Sequence, residues 1–222
     1  MATATKARAG TVETLIVPRP QMTEVRIRIK GTAPYVQNKF SEKAKLKMMA
    51  DMQTKKSQSK TKNDREPRDY DREFIAAQHV STEGWNGIPA PALRAAMIDA
   101  CRTAGIVMTR AKLAVFVLQD GIDKDDGTPL VRLFSESEPE RNDLPVRNAS
   151  GVTDIRIRPM WRDWEAVVRI VFDQNMIDRQ SVINLLTRAG LQVGIGEGRH
   201  NSKNSYGQGW GTFTIVEGET ES

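Results

Sequence analysis

Apolar and polar residues alternate strictly over Glu24–Lys30 (EVRIRIK). Val25, Ile27 and Ile29 point one way, and Arg26, Arg28 and Lys30 the other, which predicts a half-buried strand with a basic outer face. Pro89–Ala104 opens on prolines, which suit a first helical turn, and carries one apolar stripe of Leu93, Met97, Ala100, Cys101 and Ala104. Leu113–Leu118 (LAVFVL) reads as a buried strand. Trp164–Phe172 alternates with Trp164, Ala166, Val168, Ile170 and Phe172 on one face. Over Asp178–Gly190 the period is helical again. Asp178 caps the segment, Val182, Leu185, Leu186 and Ala189 form the stripe, and Gly190 ends it. Leu191–Ile195 and Gly211–Val216 close the chain as strand segments. Strand, helix and strand, twice over, predicts an α+β protein with a ferredoxin-like (RRM-like) βαββαβ core, whose antiparallel sheet carries both helices on one face. The other face, with Arg26 and Arg28, is left for solvent, a partner or a ligand.

Outside that core the pattern changes character. Residues 1–23 read as a flexible arm interrupted by Pro18 and Pro20, 24–216 as the domain, and 217–222 as an acidic, solvated tail. Two insertions are expected within the domain, at about 41–83 and about 120–161. Within the first, the stretch Lys43–Lys62 holds Lys43, Lys45, Lys47, Lys55, Lys56, Lys60 and Lys62 against the single acid Asp51, a net +6. So polar a stretch buries too little apolar area to offset its ordering entropy. It is expected to be a basic flap that orders on a polyanion, with helical character over Lys43–Met52. The second insertion holds short alternating runs, Leu130–Phe134 and Asp154–Arg158, and reads as an inserted hairpin lobe.

Composition narrows the function classes. The chain has 222 residues and a net charge of +5, so it is one domain with insertions or at most two small ones. A single cysteine excludes an intrachain disulfide, and Cys101 falls on the apolar stripe as a small core residue. The longest strongly apolar run is far shorter than the roughly 20 residues a membrane helix needs. A cytoplasmic protein that does not enter a membrane is the expectation. Two histidines and one cysteine, far apart in sequence, give no expected metal site.

Seven of the 16 glycines lie between Gly190 and Gly211, in AGLQVGIGEGRHNSKNSYGQGWGTFTI. A dinucleotide fingerprint would have to open a helix, whereas this loop leads into a strand, so no cofactor is expected. Glycines at positive φ expose N–H groups that can form an anion-binding nest. Arg199, His200 and Lys203 add charge to the loop, and Tyr206 and Trp210 add stacking surfaces.

Two stretches carry a family resemblance. Gly194-Ile195-Gly196 followed by Gly207-Gln208-Gly209-Trp210-Gly211-Thr212-Phe213 resembles the glycine-rich loop of the RAMP superfamily of CRISPR-associated RNA-binding proteins. Gly87-Ile88-Pro89-Ala90-Pro91-Ala92-Leu93-Arg94-Ala95-Ala96 is similar to the segment opening the first helix in the backbone, crRNA-coating subunits of effector complexes. The resemblance covers about three quarters of the chain. The chain departs from the pattern at Ala90-Pro91-Ala92, where small Gly and Ser residues are usual. Phosphate binding at this helix start would rest on backbone N–H groups, the helix dipole and Arg94.

The resemblance implies a subunit that coats single-stranded nucleic acid, RNA in preference. Copies would stack head-to-tail on guide RNA in a CRISPR-type ribonucleoprotein for antiviral defence, in contact with other effector subunits. Backbone contacts are expected from Arg26, Arg28, Lys39, Arg94, Arg199 and Lys203, and from the loop at Gly194, Gly196, His200, Gly207 and Gly209. Stacking is expected from Tyr206 and Trp210, with Trp161 as a wedge in the lobe. No catalysis is expected. The alternatives are a guide-RNA-processing ribonuclease with His200 as general base, a phage or mobile-element protein that binds or anneals single-stranded DNA, and a viral interaction protein that binds no nucleic acid.

Overall fold

A computed structural model describes residues 17–40, 42–53, 68–147, 153–202 and 207–221. Its strands are β1 (Met22–Gly31), β2 (Tyr35–Val36), β3 (Gly87–Pro89), β4 (Val115–Val117), β5 (Gly121–Ile122), β6 (Pro129–Phe134), β7 (Glu140–Arg147), β8 (Thr153–Trp161), β9 (Glu165–Asp173) and β10 (Phe213–Glu221). The helices are α1 (Glu42–Gln53), α2 (Tyr70–Ala76), α3 (Ala90–Ala104), α4 (Met108–Ala114) and α5 (Arg179–Arg188), and α5 runs on into a π turn, Ala189–Val193. The protein is α+β, and every strand pairing is antiparallel. The main sheet runs β10-β1-β9-β6-β3, with β4 sharing the second edge of β9 and β5 extending β6. A smaller sheet runs β2-β8-β7.

The alternation read in β1 and β9 sets the core. Val25, Ile27 and Ile29 lie beside Ala166, Val168, Ile170 and Phe172, all essentially inaccessible to water. Onto this face pack Leu93, Met97 and Cys101 of α3 and Val182, Leu185 and Leu186 of α5. Each such aliphatic side chain contributes about 1.5–3 kcal/mol when fully buried. Asp178 caps α5 by accepting from the N–H of Ser181 at 2.9 Å. Burial pushes the Cys101 thiol up from its ordinary pKa, as expected of a core thiol that is not a nucleophile.

Aromatic packing joins the two sheets. Tyr35 stacks on Trp161 with ring centroids 5.8 Å apart and meets Trp164 at 5.4 Å, and Trp164 meets Phe213 edge-on at 6.0 Å. Trp161 is therefore buried in the core at 1% exposure, which corrects its expected role as a wedge. It ends β8 opposite Tyr35 of the paired strand β2, and the Tyr35 ring stacks against it.

Several elements differ from the sequence reading. Leu113 and Ala114 end α4, leaving only Val115–Val117 as strand, because Ala111 and Ala114 are the buried face of a short helix and Leu113 is exposed. Leu191–Ile195 is not a strand. The chain continues from α5 through the π turn, and Gly190 lies buried against the carbonyl of Phe213 rather than ending the helix. The second insertion is not a separate lobe throughout, since β6 joins β9 in the main sheet at Leu133↔Ala166. The C-terminal segment also belongs to a strand. β10 runs to Glu221, and after a register shift its end pairs with β1 at Arg26↔Glu221, satisfying an edge that would otherwise be open. Of the N-terminal arm, residues 1–16 lie outside the described residues, and Met22 and Thr23 already belong to β1.

Candidate functional site

The two motifs that carried the resemblance meet across one cleft of about 430 Å³. One wall is the first half of α3, with Pro89, Ala92, Ala95, Ala96 and Asp99. Facing it is the loop after the π turn, Val193–Arg199. The β7–β8 hairpin closes a third side with Leu144, Val146 and Arg156, and Tyr35, Gln37, Asn38 and His79 complete the lining.

Both principal walls present backbone donors. α3 begins with Pro89 as its cap residue, no side-chain cap and no acid in its first turn, so the positive end of its dipole is not neutralised locally. In the opposing loop Gly194, Gly196 and Gly198 have φ of 74, 77 and 80°. The N–H of Ile195 donates to Gly211 and that of Glu197 to Val36. The N–H groups of Gly196, Gly198 and Arg199 make no hydrogen bond among the described residues. Alternating handedness with unpaired amides is the geometry of an anion nest.

The glycines are nonetheless demanded first by packing within the protein. A Cβ on Gly196 would lie 2.4 Å from the carbonyl oxygen of Val36, and one on Gly198 2.4 Å from the Trp210 ring. The closest approach of the loop is thus to its own fold. Trp210 is half-buried against Gly198, and its N–H reaches the Gly198 carbonyl at 3.3 Å. His200 is exposed, with its ring against Gly209. Gly207 and Gly209 also adopt positive φ, of 67 and 75°. Lys203 and Tyr206 lie outside the described residues.

Charge in the cleft is nearly balanced. Arg199 lines it and donates from Nη1 to the carbonyl of Gly196 at 2.9 Å. Arg156 lies 3.6 Å from Glu197, whose other oxygen accepts from Nε of Arg158 at 2.5 Å. Asp99 accepts from Asn201 at 2.9 Å. Unpaired amides, more than net charge, are therefore what the cleft offers an anion.

The other expected contact residues are dispersed. Arg26 and Arg28 lie on the sheet face opposite the helices, away from Arg199, and both are ion-paired. Arg26 meets Glu24 at 3.3 Å, and Arg28 donates to Glu165 at 2.6 and 2.9 Å. Arg169 and Lys30 extend the same lattice through Glu24 and Glu165. The Arg169 guanidinium holds the Glu24 carboxyl below the usual carboxylate range, and Arg28 does the same for Glu165.

Lys39 is buried, with Nζ 2.6 Å from both Asp123 and Asp125, so it is not available to a phosphate. Arg94 donates to the carbonyls of Val115 and Lys112 and lies over the Phe116 ring, fixing the α4–β4 junction instead of the start of α3. Of the basic flap, Lys43, Lys45 and Lys47 lie on α1, with Lys45 exposed, whereas Lys55, Lys56, Lys60 and Lys62 lie outside the described residues.

Several cleft residues had no sequence signal. Arg156 and Arg158 were legible only as the polar side of a strand. His79 was one of two histidines with nothing to distinguish it, yet its Nδ1 lies 2.9 Å from the buried Oδ2 of Asp123. Burial works to raise the Asp123 carboxyl. Hydrogen bonds from Lys39, the N–H of Asp125 and His79, with the Lys39 charge, outweigh it and hold the group below its ordinary pKa. Ligand atoms of His79, Asp123 and Asp126 lie within 4.8 Å of one another. The ammonium of Lys39 already bonds the buried Asp123 of this group, together with Asp125, so Asp123 belongs to a satisfied ion network.

No family model matches the chain, and no curated protein matches it. Among the described residues, no helix is long and apolar enough to cross a membrane.

Proposed function

We propose that this chain binds single-stranded nucleic acid, RNA in preference, with the sugar–phosphate backbone seated in the cleft between α3 and the glycine loop. Copies stack head-to-tail along the strand, as in a guide-RNA-coating subunit of a CRISPR-type complex. One observation carries the reading: two motifs about 100 residues apart in sequence converge on one cleft, where the unpaired backbone N–H groups of the loop face a helix whose first turn has no side-chain cap and no acid. Phosphate is the common biological anion that such paired donors suit. The half-buried Leu144 and Val146 beside Arg156 offer a surface against which a base can rest. The core itself is read as ferredoxin-like, since β10-β1-β9-β4 is the antiparallel order of that fold, with α3 and α5 on one face.

The test is binding of labelled single-stranded RNA and DNA at rising salt. Phosphate contacts predict affinity that falls linearly with salt on logarithmic axes, with a slope of about −0.7 per phosphate neutralised. No binding to either strand at low salt overturns the reading.

A second reading, metal-independent cleavage of the bound RNA, has one observation in its favour. His79, oriented by the buried Asp123, lines the cleft, whereas His200 has no carboxylate partner among the described residues. A general base needs this kind of orientation. RNA left intact after prolonged incubation without metal rejects it.

A further inference from the structure

The adjoining flank of α3 carries a second hollow, of about 550 Å³, within the range that small ligands occupy. Arg94, Ile98 and Arg102 of α3 line it, spaced at helical intervals. Lys112 and Met108 of α4 face them, with Val117 of β4 and Gln119 just beyond it. The lining is thus three cations and the single acid Asp99, set among apolar side chains.

Two of those cations have no acid to neutralise them. Arg102 meets Asp99 at 3.5 Å, which accounts for one pair. Arg94 is half-buried, and its partners are neutral: Nε donates to the carbonyl of Val115 at 2.8 Å, Nη2 donates to that of Lys112, and the guanidinium lies over the Phe116 ring. Its Nη1 makes no hydrogen bond among the described residues, and the Lys112 ammonium meets no carboxylate among them. Arg28, Arg158 and Arg169, by contrast, each have a carboxylate partner. A guanidinium held still by two carbonyls, with N–H donors to spare and an unpaired ammonium lining the same hollow, is suited to a phosphate.

Continuity with the cleft says which phosphate. Ala95 and Asp99 line both the cleft and the hollow, so α3 is the wall between them. Ala95 is exposed and carries only a methyl group, which makes that wall low at its turn of the helix.

We propose that the hollow is a second phosphate subsite for the strand seated in the cleft. The strand crosses α3 over Ala95 and sets a phosphate against Nη1 of Arg94 and the Lys112 ammonium. Its sugar or base lies against Ile98, Met108 and Val117. The proposal rests on the cleft reading and deepens it, by naming where the strand goes next.

The test is binding of a labelled single-stranded RNA of about 12 nucleotides at rising salt, by the parent chain and three variants. Lys112→Ala removes one phosphate contact. It is expected to make the salt slope shallower by about 0.7, which is about 5-fold weaker binding at about 0.1 M salt. Gln119→Glu keeps the shape of the side chain and adds a carboxylate to the same hollow, and is expected to weaken binding to a similar degree. Gln174→Glu makes the same charge change at an exposed position outside the hollow, and is expected to alter affinity less than about 2-fold. Lys112, Gln119 and Gln174 are all exposed, and circular dichroism checks that the variants fold. In the parent chain, bound RNA is expected to protect Lys112 from acetylation, a readout that needs no variant. A parent chain that binds no RNA refutes the cleft and this subsite together. RNA binding with an unchanged slope in Lys112→Ala, equal losses in Gln119→Glu and Gln174→Glu, or a Lys112 acetylated as fast with RNA as without it refutes the subsite and leaves the cleft standing.

Discussion

Replacing Gly196 and Gly207 by alanine, one at a time, separates the two demands that the loop makes on glycine. Both residues have positive φ, 77° at Gly196 and 67° at Gly207. That conformation costs an L-residue about 1–2 kcal/mol. Around Gly207 an added Cβ meets nothing within 4 Å, so Gly207→Ala is expected to lose only that amount. At Gly196 the Cβ lands 2.4 Å from the Val36 carbonyl oxygen and 2.8 Å from the Tyr35 ring. The carbonyl is backbone and already accepts the N–H of Glu197 at 2.9 Å, so it cannot swing aside without breaking that bond. Overpacking of this kind costs about 1–3 kcal/mol more. Gly196→Ala is therefore expected to lose about 2–5 kcal/mol, read from equilibrium urea unfolding. The displaced segment also carries the unpaired amides of Gly196 and Gly198. RNA affinity of the folded variant is expected to fall about 10-fold, equivalent to about 1.4 kcal/mol, against less than about 3-fold for Gly207→Ala. Equal stability losses at the two positions would refute the close approach. Undiminished affinity in folded Gly196→Ala would refute the cleft as the anion site.

Further outcomes follow from the ion networks and the core. Asp123→Asn leaves the buried Lys39 with only the half-exposed Asp125, and is expected to cost about 3 kcal/mol in urea unfolding at pH 7, the low end for a broken buried pair. Because the Asp123 carboxyl is held below its ordinary pKa in the fold, its contribution is present above the unfolded value of about 3.9 and lost as pH falls through the folded one. The gap between parent and variant should then narrow at about pH 3, and a gap that widens contradicts the assignment. Trp161→Ala is expected to lower stability by about 3–5 kcal/mol as a core deletion. A loss below about 1 kcal/mol with a large drop in affinity would restore the wedge. Arg28→Ala removes a partly exposed ion pair with Glu165, so it should change stability by less than about 1 kcal/mol and RNA affinity by less than about 2-fold. A 10-fold loss in a filter-binding assay would move the strand to the outer sheet face.

Periodicity marked out the core before any coordinates, because burial of one face is a local property of a strand or helix. Val25, Ile27 and Ile29 alternate, Leu93, Met97 and Cys101 recur at helical spacing, and both patterns are buried as written. The positive φ of the loop glycines was legible for the same reason, since it depends on a single residue's missing Cβ. Short elements were less legible. Leu113–Leu118 could be helix or strand by composition, and contacts of Ala111 and Ala114 decided it.

What a charged side chain does was not legible at all. Lys39, Arg28 and Arg94 look alike in sequence to Arg199, yet the first two meet carboxylates and the third meets helix-end carbonyls brought there from 18 to 137 residues away. Local sequence determined which face of each element is apolar. Only the tertiary structure decided which cations are neutralised, which amides are left unpaired and that α3 and the glycine loop share a cleft. Apolar periodicity is written within a few residues, whereas electrostatic pairing and cleft formation depend on distances between segments that the chain brings together only when it folds.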